Sequence, residues 1–324
     1  MKVFFDFPNL LSFIHSAKQP EYNDCMRMLL NNFEIHVSFS QDEVAVMKGD
    51  DKDDFDIWIN SIDNLVDEIK WGDDRFKNSF NPYKLGRDYL MAVYCLQSGQ
   101  DKIGKEGLLI AKQGEELKVL SSLYFKDYQF KDELWRKINK WEDLSSYISP
   151  CTDVIIADPY IFSDNSLIPS NIVPLCKELC TITRKQKLNI VIITVKDNTK
   201  TKEDWNKICN NIKNCISGHY NPNVTIVEVN RVKKENGNPN LKEHDRTIFT
   251  NYKMFISGDT LNFFDSKHNK ISNGRWLHVH SNAQIDNMQS SLKFIDDMQG
   301  LVSAAKTTNP DLIKHDKKSN FLNF

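Results

Sequence analysis

The chain has no CxxC pair, no apolar run long enough to cross a bilayer, no start that reads as a signal peptide, and almost no net charge. Each absence removes a class of function. Without CxxC spacing, the seven cysteines (Cys25, Cys95, Cys151, Cys176, Cys180, Cys209 and Cys215) do not form a zinc-ribbon or thioredoxin-type motif. No histidine stands at ligand spacing beside Cys176/Cys180 or Cys209/Cys215, so these pairs read as small buried hydrophobes rather than metal ligands. An odd cysteine number without a leader fits a reducing, cytoplasmic setting. A net charge of −2 supplies no overall field for nucleic acid or anionic membrane, so any polyanion contact must come from a local patch. The acidic stretch from Gln41 to Asp74, with Asp50, Asp51, Asp53, Asp54 and Asp56, lacks the glycine and terminal glutamate of an EF-hand. It reads as a solvated acidic loop. There is no internal repeat, and no cofactor or metal is expected.

What remains is an ordinary globular composition, 40% hydrophobic and 27% charged, over 324 residues. That length suits two domains or one large one. In the N-terminal half, Lys2–Phe7 and Glu34–Phe39 read as strands and Tyr22–Asn32 as a helix. Leu85–Gln97 reads as a helix, Gly107–Ala111 and Leu117–Phe125 as strands. Lys131–Ile148 reads as a helix with Leu134, Ile138, Trp141 and Leu144 on one face. Asp6, on the first strand, is a candidate strand-end carboxylate for metal-dependent chemistry, without a second and third carboxylate to join it.

Ser149-Pro150 marks the expected boundary. Beyond it the pattern is strand, helix, strand, helix. Val154–Ala157 is a continuous apolar run and Ile190–Val195 is apolar but for Thr194, as strands buried on both faces would be, and Val224–Val229 reads as a third strand. Asn171–Thr183 and Lys202–Ile216 are the helices between them. Arg231–Lys242 reads as a polar loop, and Thr247–Phe249, Lys253–Ile256 and Arg275–His280 as further strands. Ala283–Ala305 reads as an amphipathic helix. The expected fold class is α/β: an N-terminal α/β domain of unknown kind over 1–148, a second domain with a mostly parallel sheet over 149–305, and a polar, frayed tail over 306–324.

The segment with recognisable chemistry is His244-Asp-Arg246, then Asn251, then Gly258-Asp259 and Asn262. On a strand, residues i and i+2 share a face, so His244 and Arg246 point into one site. Cleaving a phosphodiester needs a nucleophile, a proton donor and groups that hold the phosphate oxygens. An imidazole can attack phosphorus. An arginine fork can hold two oxygens, and the Asn262 amide can donate to a third. A glycine lets backbone approach the ligand closely.

This spacing resembles the phosphodiesterase signature of the phospholipase D superfamily, H-x-K-x4-D-x6-G-S-x2-N. His, Gly and the last Asn are kept. Lys is replaced by Arg246, Asp by Asn251 and Ser by Asp259. The segment is most similar to the phospholipase-D-like C-terminal domain found after microtubule-interacting-and-transport domains in a eukaryotic ESCRT-associated protein, and to its prokaryotic relatives. Those share the His-Asp-Arg start, the Asn, and an Asp-Pro-Tyr-Ile strand end like Asp158–Ile161. The resemblance covers Tyr147 to Phe264, a little over a third of the chain. The N-terminal half does not look like the three-helix microtubule-interacting domain, so ESCRT coupling is not carried over.

The resemblance implies a binding module for phosphate-bearing ligands, nucleic acid or phospholipid head groups, that is weakly or non-catalytic. It assigns phosphate binding to Arg246 and Asn262, with Asn251, Gly258, Asp259 and Asp158 in support. Asp158 is equally readable as an Asx turn before Pro159. Active enzymes of the superfamily use two copies of the motif, and this chain has one. A homodimeric, metal-independent phosphodiesterase or nuclease with His244 as nucleophile, in a prokaryotic defence setting, is the alternative. Its second histidine would come from a partner copy, or from His278 or His280. A third reading is a protein-interaction component whose site is a relic.

Overall fold

A computed structural model of the chain describes residues 1–62, 68–73, 82, 85–97, 107–123, 131–182, 188–214, 222–229, 241, 246–271 and 276–324, with only the backbone of 131–133. It divides into two compact units, Met1–Lys126 with Ser281–Gln289, and Asp127–His280 with Ser290–Phe324. The boundary does not coincide with Ser149-Pro150. The segment ahead of that dipeptide belongs to the second unit because its tryptophans pack there. Trp141 stacks on Phe263 at 5.1 Å and Trp135 meets the same ring edge-on at 4.8 Å.

The first unit holds a four-stranded sheet in the order β2-β1-β3-β4, made of β1 (Lys2–Phe5), β2 (Glu34–Val37), β3 (Val93–Cys95) and β4 (Leu109–Ala111). Every pairing in it is parallel. β1 is followed at once by the helix Phe7–His15, because Asp6 caps it by accepting from the Asn9 amide at 3.1 Å, with Pro8 in the first turn. The core is aromatic. Phe4 stacks on Tyr94 at 5.1 Å, and both rings are fully buried. Each such ring contributes about 2 kcal/mol or more through the apolar area removed from water.

Three sequence expectations are corrected in this unit. Leu85–Gln97 is not a helix: one helical turn, Arg87–Leu90, precedes β3. Met91–Leu96 is fully buried at the middle of the sheet, where a strand covered on both faces loses its alternation. Leu117–Phe125 is not a strand. A helix spans Glu116–Ser121, with Leu117 and Leu120 buried at i and i+3. The acidic run is not a loop. The helix Asp50–Ser61 places Asp50, Asp51 and Asp53 in its first turn, where the helix dipole favours carboxylates, and buries Phe55 and Trp58.

The second unit carries a seven-stranded sheet, β10-β9-β8-β5-β6-β7-β11. Its strands are β5 (Asp153–Ala157), β6 (Asn189–Val195), β7 (Asn223–Val229), β8 (Arg246–Thr250), β9 (Lys253–Ser257), β10 (Leu277–Ser281) and β11 (Ile313–His315). β5, β6 and β7 are parallel and are linked by the helices Ile172–Ile182 and Lys202–Asn214. The sheet is nevertheless mixed rather than mostly parallel. β8 runs antiparallel to β5, β9 to β8, and β11 to β7. The Lys131–Ile148 helix is shorter than expected, ending at Lys137 before a 3-10 turn at Trp141–Leu144, although Leu134, Ile138, Trp141 and Leu144 are all buried. The expected loop Arg231–Lys242 lies, except for Leu241, outside the described residues.

The tail is the other correction. The last long helix runs Ile285–Thr308, and β11 then adds to the sheet edge. Phe321 and Leu322 are buried, and Phe321 packs edge-on against Phe249 at 5.4 Å. Asp153 fastens this end of the chain, accepting from the Asn320 amide at 2.6 Å, from its side-chain Nδ2 at 2.6 Å and from Ser319 Oγ at 2.8 Å. Among the described residues, no helix is long and apolar enough to cross a membrane.

Candidate functional site

The motif segment folds as the hairpin β8–β9 beside β5. Thr247 pairs with Ala157 and Arg246 with Ser257. Arg246 therefore starts β8 at the carboxyl end of β5, next to Asp158 and the loop that follows β9. Ligands of open α/β sheets bind at such strand ends.

Arg246 is 8% exposed. Its Nη1 donates to Gly258 O at 3.1 Å, and its guanidinium carbon lies 5.8 Å from the centre of the Tyr160 ring. Among the described residues its buried Nε has no hydrogen-bond partner, and no ion pair joins it to Asp259 or Asp158. A buried donor left unpaired costs about 1–3 kcal/mol.

Asp158 is fully buried and ties two loops together. One carboxylate oxygen accepts from the Tyr160 amide at 2.8 Å, which is the Asx turn across Pro159. The other accepts from Thr260 Oγ1 at 2.8 Å and from the Leu261 amide at 2.7 Å. Burial pushes this carboxyl above the usual aspartate range, and the hydrogen bonds and the Arg246 charge offset only part of that. Asn262 is buried as well, and its Nδ2 donates to Tyr160 O at 3.3 Å. It joins the same two loops.

Asp259 is half-buried and turned onto its own loop. Its Oδ1 accepts from the Thr260 amide at 2.7 Å, and its carbonyl from Ser257 Oγ at 2.6 Å. Gly258 is required for a reason other than the one expected. A Cβ there would lie 2.0 Å from Trp276 Nε1, so the group that approaches the backbone is an indole.

Asn251 does not join the site. It lies five residues along from Arg246, about 16 Å at strand rise, at the opposite end of the sheet. Its Oδ1 accepts from the Thr152 amide at 2.9 Å and its Nδ2 donates to Thr152 Oγ1 at 3.0 Å, pinning the hairpin turn to the start of β5. His278 and His280 are also elsewhere. Arg246 pairs with Ser257, and Trp276 lies against the next residue, Gly258. His278 packs edge-on against Trp276 at 4.6 Å, and His280 stacks on His278 at 5.9 Å. His244 lies outside the described residues.

The sequence reading missed Tyr160 as the ring under Arg246, although it stands inside the quoted Asp158–Ile161 element. It also missed Asn171, whose Nδ2 donates to Phe264 O at 2.8 Å and whose Oδ1 accepts from the Phe264 amide at 2.9 Å, fixing the far end of the motif loop. Trp276 carried no signal beyond its place inside the expected strand Arg275–His280. A separate cleft of about 430 Å³, lined in part by Lys140, Trp141, Lys177 and His268, includes neither Arg246 nor Asp158. Among the described residues no group of three or more His, Cys, Asp or Glu is arranged to hold a metal ion.

Comparison with protein-family models, with curated proteins and with solved structures finds no match to this chain.

Proposed function

We propose that the second unit is a phosphate-recognising module with a degenerate phospholipase-D-like site, weakly or non-catalytic, in which Arg246 is the principal anion ligand. One observation carries this reading. Arg246 is a buried guanidinium with a free Nε and no carboxylate partner among the described residues. Guanidinium donors held in that state suit a phosphate oxygen. Tyr160 supports the planar group from one side. Half-buried Thr260 and Gly258 border the same end of the hairpin. Asp158 sets the two loops rather than contacting the ligand, and Asn251 stabilises the fold.

The test is binding of a labelled single-stranded oligonucleotide and of phosphatidic-acid vesicles to wild type, Arg246→Lys and Arg246→Ala. Binding by at least one probe that falls tenfold or more in Arg246→Ala, with Arg246→Lys between, supports the reading. Equal binding by all three proteins overturns it. Metal-free turnover of a generic phosphodiester, lost in His244→Ala, would replace it with the enzymatic reading.

A further inference from the structure

The first unit contains a second polar cluster, and its chemistry is different. From β1 the chain crosses to β2 on one side and later returns to β3 on the other, so a crevice opens between the carboxyl ends of β1 and β3. Asp6 directly follows β1. It receives the Gln97 amide from beyond β3 on its Oδ2 at 2.5 Å. Its Oδ1 receives Asn9 Nδ2, also at 2.5 Å.

That contact fixes the orientation of the Asn9 amide, because a carboxylate only accepts. Asn9 Oδ1 therefore lies within about 5 Å of the Asp6 carboxylate, from amide bond lengths alone. Asn9 is fully buried, and this oxygen has no hydrogen-bond partner among the described residues. Ser12, one turn along the same helix, donates to Glu116 Oε2 at 3.0 Å, and the Gly114 amide donates to it at 2.9 Å. Glu116 is 1% exposed, and its Oε1 is likewise buried without a partner.

Asp6 and Asn9 thus stand together at a strand-end crevice, Glu116 is tied to the same helix through Ser12 and is close enough to feel the Asp6 charge, and two buried oxygens of this group lack a donor among the described residues. An unpaired buried acceptor costs free energy unless something binds it. We infer that Asp6, Asn9 and Glu116 bind a hard divalent cation of the Mg2+ or Mn2+ class. The donor set decides the cation. It is all oxygen, with fewer than three carboxylate, imidazole or thiolate groups. That suits an ion that keeps several waters and takes one or two carboxylates. Electrostatics agree with the geometry. Burial pushes the Glu116 carboxyl upward, hydrogen bonds from its own amide, Ser12 and the Gly114 amide offset part of that, and the nearby Asp6 charge adds to the rise. Asp6 is half-buried, and Gln97 and Gly114, whose amides donate to Asp6 and Glu116, are exposed.

Titration of Mn2+ into the full chain, followed by the loss of the free-ion EPR signal, tests this directly. Wild type should bind one Mn2+ that Mg2+ competes away, and Asp6→Asn and Glu116→Gln should each weaken binding tenfold or more. Arg246→Ala should bind as wild type, which separates this site from the phosphate site. If either variant fails to fold, the wild-type spectrum still decides: substoichiometric Mn2+ should first broaden the Gln97 and Gly114 amide resonances. No Mn2+ retained at millimolar concentration, unchanged affinity in Glu116→Gln, or broadening centred on the helix Asp50–Ser61 would overturn the assignment.

Discussion

The two ends of β5 each bury an aspartate, and they differ in what stands beside it. Asp153 and Asp158 are both fully buried, and burial raises both carboxyls. Each fastens a distant loop. Around Asp153 the donors are neutral: the Asn320 amide and side chain, Ser319 and Asn189. Phe321 and Leu322 close that end. Around Asp158 the donors are equally neutral, but a guanidinium stands beside them with an unused N–H. A buried carboxylate is therefore only a joint at either end. What separates the two ends is Arg246, so the proposed phosphate site depends on the arginine and not on the acid.

The largest effect expected from breaking this comparison is at the closed end. Asp153→Ala leaves several buried donors unpaired and frees the last residues of the chain, and should cost about 3 kcal/mol in urea unfolding. Limited proteolysis should then remove residues beyond 315. Wild-type stability with an intact terminus would show that Asp153 does not hold the tail.

Lys253, at the start of β9, is 3% exposed, and burial pushes its ammonium down to about 7. Between that value and the ordinary lysine range the unfolded chain binds the extra proton. Stability should therefore rise as pH goes from 7 towards 10, with an upper slope of about 1.4 kcal/mol per pH unit. Lys253→Met should abolish the slope and be at least as stable as wild type at pH 7. The same slope in the variant would assign it to another group.

At the open end, Gly258→Ala drives a methyl into the Trp276 indole and should cost about 2 kcal/mol. Trp276→Ala should relieve most of that in the double variant. Additive losses would mean that the close approach is not what selects glycine.

Much of the second unit was legible because its signals are strong. Val154–Ala157, Ile190–Val195 and Val224–Val229 are short runs dominated by Val and Ile, and they became β5, β6 and β7. The spacing from Arg246 to Gly258 corresponds to strand, tight turn and strand. The same reading misjudged Met91–Leu96, where a buried central strand and a buried helix look alike over so few residues. It took the tail for frayed because Ser319, Asn320 and the lysines around them are polar. Their partner, Asp153, lies 166 residues away from Ser319. It expected a mostly parallel sheet because alternating strands and helices say nothing about the direction of β8, β9 and β11. At the site, spacing placed Arg246 and Gly258 together correctly, yet it grouped Asn251 with them, since a motif does not reveal which end of a hairpin each residue occupies.

The most direct test of the central claim is fluorescence anisotropy of a labelled single-stranded oligonucleotide, run beside phosphatidic-acid vesicle flotation, for wild type and Arg246→Ala at low salt. The account predicts that Arg246→Ala folds normally and loses tenfold or more in affinity for the phosphate-bearing probe that wild type binds. A folded Arg246→Ala protein that binds every probe as well as wild type would contradict it.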